Sequence, residues 1–242
     1  MKFIGIDLAW KVEPKSKTAL VAIDKSCSLI ATDYVYTDKE ILEFIKRHCS
    51  SGCLVGVDAP LVVRNKHGRR ECERLLQKHG IPSYPANREW LTRAFGGVRG
   101  EILVRKLKKL GIELKARPQP KTFAKAVMEI YPYSALKFLL KKIPKYKKGK
   151  KKERVKGISD LREALQKVQP SLIAGEIASE KDLREQERES NAPASLLKKA
   201  ADLLDAAVAA YTVFLYWKHG GERCEVIGSE EEGFIVTLKD EP

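Results

Sequence analysis

Five acidic residues occupy places where a folded chain has little use for charge. Asp7 closes the apolar run Phe3-Ile4-Gly5-Ile6, and Asp58 closes Leu54-Val55-Gly56-Val57. Glu129 lies inside Ala126-Val127-Met128-Glu129-Ile130-Tyr131. Asp202 and Asp205 interrupt the stretch from Ala200 to Trp217, which is otherwise almost wholly apolar. Taking an ionised carboxylate out of water without compensation is costly or forces it to take up a proton. Asp202 and Asp205 are three apart, so they share one side of a helix. No basic residue follows Lys199 before that helix ends near Trp217, so a bound cation is the natural compensation. Clustered carboxylate oxygens favour Mg²⁺ or Mn²⁺ over zinc. Two such ions about 4 Å apart can activate water and stabilise the leaving oxygen of a phosphodiester. The plainer reading of any one acid is a turn former, a helix cap or half of an ion pair with arginine. It is the set that points to metal.

The elements that must position these acids can be read from periodicity. Residues 3–8, 18–23 and 28–36 read as three strands, most simply an antiparallel meander. Thr37-Asp38-Lys39-Glu40 is a capping box opening a helix that ends near His48. Residues 54–58 form a fourth strand, stopped by Pro60, and the helical crossover lays it parallel to the first. Asp7 and Asp58 then reach the same sheet edge, and the last helix brings Asp205 to them. The alanines of that helix allow it to approach the sheet closely. Residues 126–131 form a later strand ended by Pro132, followed by a helix through Leu136, Leu139 and Leu140.

Residues 61–125 read as a mostly helical insertion or cap, with helices over 69–79 and 99–110 and a loop over 81–88. Residues 141–157 form a basic loop, expected to be solvated. Charged helices follow over 158–168 and 178–189. Ser190-Asn191-Ala192-Pro193 starts the last helix, and residues 225–227 and 233–236 close the chain as a hairpin. The whole of 1–242 is read as one α/β domain, a mixed sheet flanked by helices.

With 46 Lys and Arg against 32 Asp and Glu, the net charge of +14 suits a polyanion such as DNA or RNA. It also suits a lysine- and glutamate-rich surface of the kind reported for hot environments. Arg64, Arg69, Arg70 and Arg88 are candidate phosphate contacts, or surface charges paired with Glu71 or Glu73. Trp10 either stacks on a base or packs at the rim of the core. The four histidines lack metal-ligand spacing, and His67 is a minor candidate for a proton shuttle. The five cysteines contain no Cys-x-x-Cys pair, so reduced structural thiols are expected rather than zinc. A carboxylate at position 7 comes too early for a secretory signal, and no long uncharged apolar run occurs, so a cytoplasmic protein is expected.

The order of elements resembles the RNase H-like superfamily. Gly5-Ile6-Asp7-Leu8-Ala9-Trp10, Gly56-Val57-Asp58-Ala59-Pro60-Leu61, Glu129-Ile130-Tyr131-Pro132, Asp202-Leu203-Leu204-Asp205-Ala206 and Glu232-Gly233-Phe234-Ile235-Val236 are similar to the marks of an uncharacterised family described as predicted RNase H-like nucleases. Arg70-Glu71-Cys72-Glu73 resembles its arginine-plus-acid stretch. The resemblance implies that Asp7 is the central metal ligand, flanked by Asp58 and Asp205, with Glu129 and Asp202 completing or orienting the shell. A Mg²⁺- or Mn²⁺-dependent nuclease is therefore expected. The alternatives are a nucleic-acid-binding or scaffold protein with a vestigial site, and an ATPase or phosphotransferase on the actin-like fold. The actin-like fold places glycines after its first Asp, where this chain has Leu8-Ala9-Trp10.

Overall fold

A computed structural model, described for residues 1–12, 16–174 and 193–239, turns the apolar runs into one mixed sheet. Strands β1 (Lys2–Asp7), β2 (Thr18–Ile23) and β3 (Leu29–Val35) form the antiparallel meander. Helix α1 (Asp38–His48) follows, with the Thr37 hydroxyl accepting from the Glu40 N–H and the Glu40 carboxylate accepting from the Thr37 N–H. It crosses over to β4 (Cys53–Val57), which lies parallel to β1 with Ile6 opposite Val57. Next in the chain come α2 (Glu71–Lys78), α3 (Arg88–Phe95), α4 (Arg99–Lys108), β5 (Glu113–Leu114), β6 (Lys125–Glu129) and α5 (Pro132–Leu139). After them stand α6 (Lys151–Val168), α7 (Ala194–His219), β7 (Cys224–Ser229) and β8 (Gly233–Leu238). The sheet order is β3-β2-β1-β4-β6-β5, and β4, β5 and β6 run parallel to β1. The hairpin β7–β8 touches this sheet through one parallel bridge, Ile130 to Val236.

Each face of the sheet has its own core. On one, Phe3, Val21, Leu54 and Met128 meet α7. On the other, Ile4, Ile6, Leu20 and Val57 meet Phe44 of α1 and Leu103 and Leu107 of α4. Residues 201–216 of α7 are buried without a break, as expected of a helix apolar on all sides. By composition the helix could cross a bilayer, but 89% of that stretch is buried in this fold. Gly5 and Gly56 face each other in register beneath it. A Cβ on Gly5 would lie 1.8 Å from the Ala206 carbonyl oxygen, and one on Gly56 would lie 2.8 Å from that of Ala209. The helix backbone therefore rests on the strands with no side chain between them.

Four expectations are revised. The stretch over 61–125 is more than a cap, because α4 builds one core and β5 extends the sheet. Helix α3 was not foreseen; Asn87 caps it by accepting from the Trp90 N–H, and Gly96 ends it at φ 81°. The basic stretch over 141–157 is only partly a loop, since α6 begins at Lys151. Cys49 and Cys53 form a disulfide rather than reduced thiols. One caps α1, the other opens β4, and their Cα atoms lie 5.2 Å apart, within bridging range. Cys27, Cys72 and Cys224 are buried free thiols, as expected. The helix read over 178–189 and the Ser190-Asn191-Ala192 start lie outside the described residues.

The close helix–sheet contact can be tested directly. Gly5→Ala should destabilise the protein by about 3 kcal/mol, at the top of the usual range for overpacking. Urea denaturation measures this, and an unchanged midpoint would show that the helix does not press on the strand.

Candidate metal centre

The sheet edge collects three carboxylates from three separate elements. Asp7 is the last residue of β1. Asp58 follows β4 directly and is tied to β1 by its N–H, which donates to the Ile6 carbonyl at 2.8 Å. Asp205 comes from α7 and is only 2% exposed. One oxygen from each of the three lies within 4.8 Å of the others. This is the convergence expected from strand order and the apolar helix.

The charge within this cluster is only partly balanced. Lys147, from the connection between α5 and α6, donates to Asp7 Oδ2 at 3.2 Å and forms an ion pair with Asp205. The Tyr146 hydroxyl donates to Asp205 Oδ1 at 2.8 Å. Asp58 accepts no hydrogen bond among the described residues. Burial and the neighbouring Asp7 push the Asp58 carboxyl well above the usual range. Burial raises Asp205 to about 6, with Lys147 opposing and Asp7 adding to the shift. Burial would lower the Lys147 ammonium, but Asp205, Asp7 and Asp58 outweigh it and hold its pKa well above that of an ordinary lysine.

Asp202 stands beside the cluster rather than in it. It faces the Tyr34 hydroxyl, which donates to Oδ2 at 2.9 Å, and pairs with Lys198 one turn earlier. Burial and Asp7 raise its carboxyl.

Glu129, expected among the catalytic acids, belongs to another cluster. It ends β6, accepts from the Leu61 N–H at 2.8 Å, and is gripped by Arg70 through Nη1 at 2.8 Å and Nη2 at 2.6 Å. Arg70 Nε also donates to Glu73 at 2.8 Å. Burial raises the Glu129 carboxyl, against the pull of Arg70.

Arg70 is therefore corrected as a phosphate contact: its side chain is 3% exposed and fully engaged. Arg69 donates to the Ser83 carbonyl, and Arg64 to that of Glu231. Arg88 pairs with Glu101 through both carboxylate oxygens. Arg64 and Arg88 remain exposed, so both keep surface that a ligand could reach. Trp10 makes T-shaped contacts with Trp90 and Phe95 and is half-buried at the rim of the core. His67 pairs with Glu89 at 2.7 Å and takes no part in the cluster.

Sequence reasoning missed Tyr34, Tyr146 and Lys147. The one available signal was Tyr146, the single aromatic in the lysine-rich run over 141–156. An aromatic residue amid solvated lysines marks a point where the chain returns to the protein.

The chain belongs to the family described as "protein of unknown function (DUF429)". Its model matches residues 5–232, which takes in every acid of the cluster. No curated protein and no solved structure matches the chain.

The ion pairs separate framework from site. Arg70→Met leaves Glu129 and Glu73 buried without their counterion, which should cost about 3–5 kcal/mol. The variant should show a lower unfolding midpoint in urea denaturation. Full stability with weakened binding of nucleic acid would instead return Arg70 to the list of phosphate contacts.

Proposed function

We propose that this protein is a divalent-metal-dependent nuclease on an RNase H-like fold, with Asp7, Asp58 and Asp205 holding Mg²⁺ or Mn²⁺. The observation that carries this reading is the surplus of negative charge at one sheet edge. Three carboxylates gather within reach of a single ion, and among the described residues one ammonium pairs with them. Their donor atoms are all hard oxygens, which suits Mg²⁺ or Mn²⁺. A sheet order of β3-β2-β1-β4-β6, with an antiparallel meander and an acidic helix across it, supports the RNase H-like reading.

A bound divalent ion lowers the pKa of water and offsets charge on a phosphoryl group. The chain's own groups orient the ligands. Tyr146 fixes one oxygen of Asp205, and Tyr34 with Lys198 fixes Asp202 beside Asp7. The lysine-rich segment around Lys147 supplies positive potential next to the acids, drawing in a nucleic-acid backbone.

Lys147 also favours a second reading. An ammonium already placed among the carboxylates suits a nucleic-acid-binding or scaffold protein whose site is neutralised from within. Such a protein would bind DNA or RNA in a salt-dependent way, indifferent to metal and to Asp7→Asn.

Two measurements test the proposed function. Purified protein should cleave DNA or RNA with Mg²⁺ or Mn²⁺ and stop on chelation. Asp7→Asn should lower the rate by about 10²-fold or more, the scale of losing one charge stabiliser in a site. Inertness toward every form of nucleic acid, with metal bound, would overturn the proposal. Calorimetric Mn²⁺ affinity should also weaken as the pH falls through about 6, where Asp205 takes up a proton and ceases to be an ionised ligand. Asp58, raised in the same direction, adds to the loss.

A further inference from the structure

The segment that supplies Lys147 is anchored at the residue just before it. Tyr146 is 6% exposed, with its hydroxyl on Asp205. Behind it, the backbone presses on Gly157 of α6, where a Cβ would lie 2.1 Å from the Lys145 carbonyl oxygen and 2.9 Å from the Tyr146 nitrogen. Only glycine allows that contact. Ahead of Lys147, the Lys148 ammonium donates to the Tyr84 hydroxyl at 3.0 Å. The backbone is thus fixed immediately before Lys147. Its side chain, however, is 39% exposed, on a stem of four freely rotating carbons. The ammonium can leave the carboxylates by side-chain rotation alone, with Tyr146 still in place.

The charges show what would drive it out. In the ionised form that a metal ion requires, Asp7, Asp58 and Asp205 carry three negative charges. One ammonium leaves two uncancelled, and one divalent cation leaves one. The ammonium and the ion need the same oxygens of Asp7 and Asp205.

We propose that Lys147 is a built-in counterion that holds the three carboxylates together in the metal-free protein and is displaced into solvent when a divalent cation binds. The inference rests on the metal-site reading given above. It makes Lys147 a competitor of the ion, so the wild-type protein binds metal more weakly than its carboxylates alone would. The coupling is reciprocal: whatever weakens the grip of Lys147 tightens that of the ion.

Two readouts test this without reference to catalysis. The first is Mn²⁺ binding to the full-length protein by calorimetry, comparing wild type with Lys147→Met, whose stem is similar but uncharged. The variant should bind about tenfold tighter, within the usual range of coupling between sites. Its metal-free form should unfold at a lower temperature than wild type, and saturating Mn²⁺ should restore it. The second readout needs no variant. Acylation of lysines followed by mass spectrometry should find Lys147 slow to react in metal-free wild type and faster with Mn²⁺, while Lys148 keeps its rate. Equal affinities in wild type and variant, or Lys147 labelling that ignores Mn²⁺ in a protein that binds it, would overturn the counterion proposal and leave the metal site standing. No Mn²⁺ binding by either protein would overturn both.

Discussion

The site depends on how closely α7 can lie against the sheet. Strands β1 and β4 present glycine to the helix at the same register, and the helix answers with alanine. A side chain on Gly5 would occupy the space of the Ala206 carbonyl, and Ala206 directly follows Asp205. The spacing that admits the backbone therefore also sets how far Asp205 stands from Asp7. Alanine suits this role doubly. It loses no side-chain entropy in a helix, and it keeps the backbone near its neighbour. The weakness of such a contact is its small buried area, which the larger residues farther along α7 make good, with Phe214 and Trp217 packed on Phe3.

The same closeness forces like charges together, and the protein handles buried acids in two ways. Around Arg70 the account is closed. Glu129 and Glu73 share one guanidinium, Leu61 donates to the first, and Ala86 donates to the second. That arrangement joins β6 to α2. At Asp7, Asp58 and Asp205 the balance stays open, because among the described residues no donor reaches the Asp58 carboxylate and two carboxyls are pushed upward. A charged group kept under such conditions reduces stability, and groups of that kind gather where a protein does chemistry. The contrast distinguishes Glu129 from Asp58, which look alike as acids in strand-like surroundings.

That contrast also marks what the sequence could reveal. Strands 1 to 4, the capping box at Thr37 and the long apolar helix were legible because each is a local pattern: a run, a spacing of three, a period. The meeting of Asp7, Asp58 and Asp205 was legible because a short crossover forces β4 parallel to β1, which puts the two strand ends at one edge. Partner choice was not legible. Whether Glu129 faces an arginine or a metal depends on where Arg70 arrives from, 59 residues away. Lys147 was hidden differently, by its resemblance to the lysines around it. Only its burial partner Tyr146 and the glycine of α6 that seats the segment set it apart. Helix α3 escaped because its two prolines upstream suggested loop, while the stronger local signals were the Asn87 cap and the Gly96 end.

The cations in the two clusters are suited to opposite tasks. Arginine presents a rigid, planar fork with five donors, so Arg70 can satisfy two carboxylates and a carbonyl at once and has nothing to gain by leaving. A lysine is a point charge on a flexible stem, without fixed directions to match. At the sheet edge a guanidinium would bind the carboxylates in two-toothed fashion and close the cluster. The Lys147 ammonium offsets the repulsion between the acids without such fixed geometry, on a stem that is partly exposed. The difference between the two cations follows from the chemistry of two side chains. The balanced cluster is accordingly buried, while the unbalanced one opens toward solvent through Lys147.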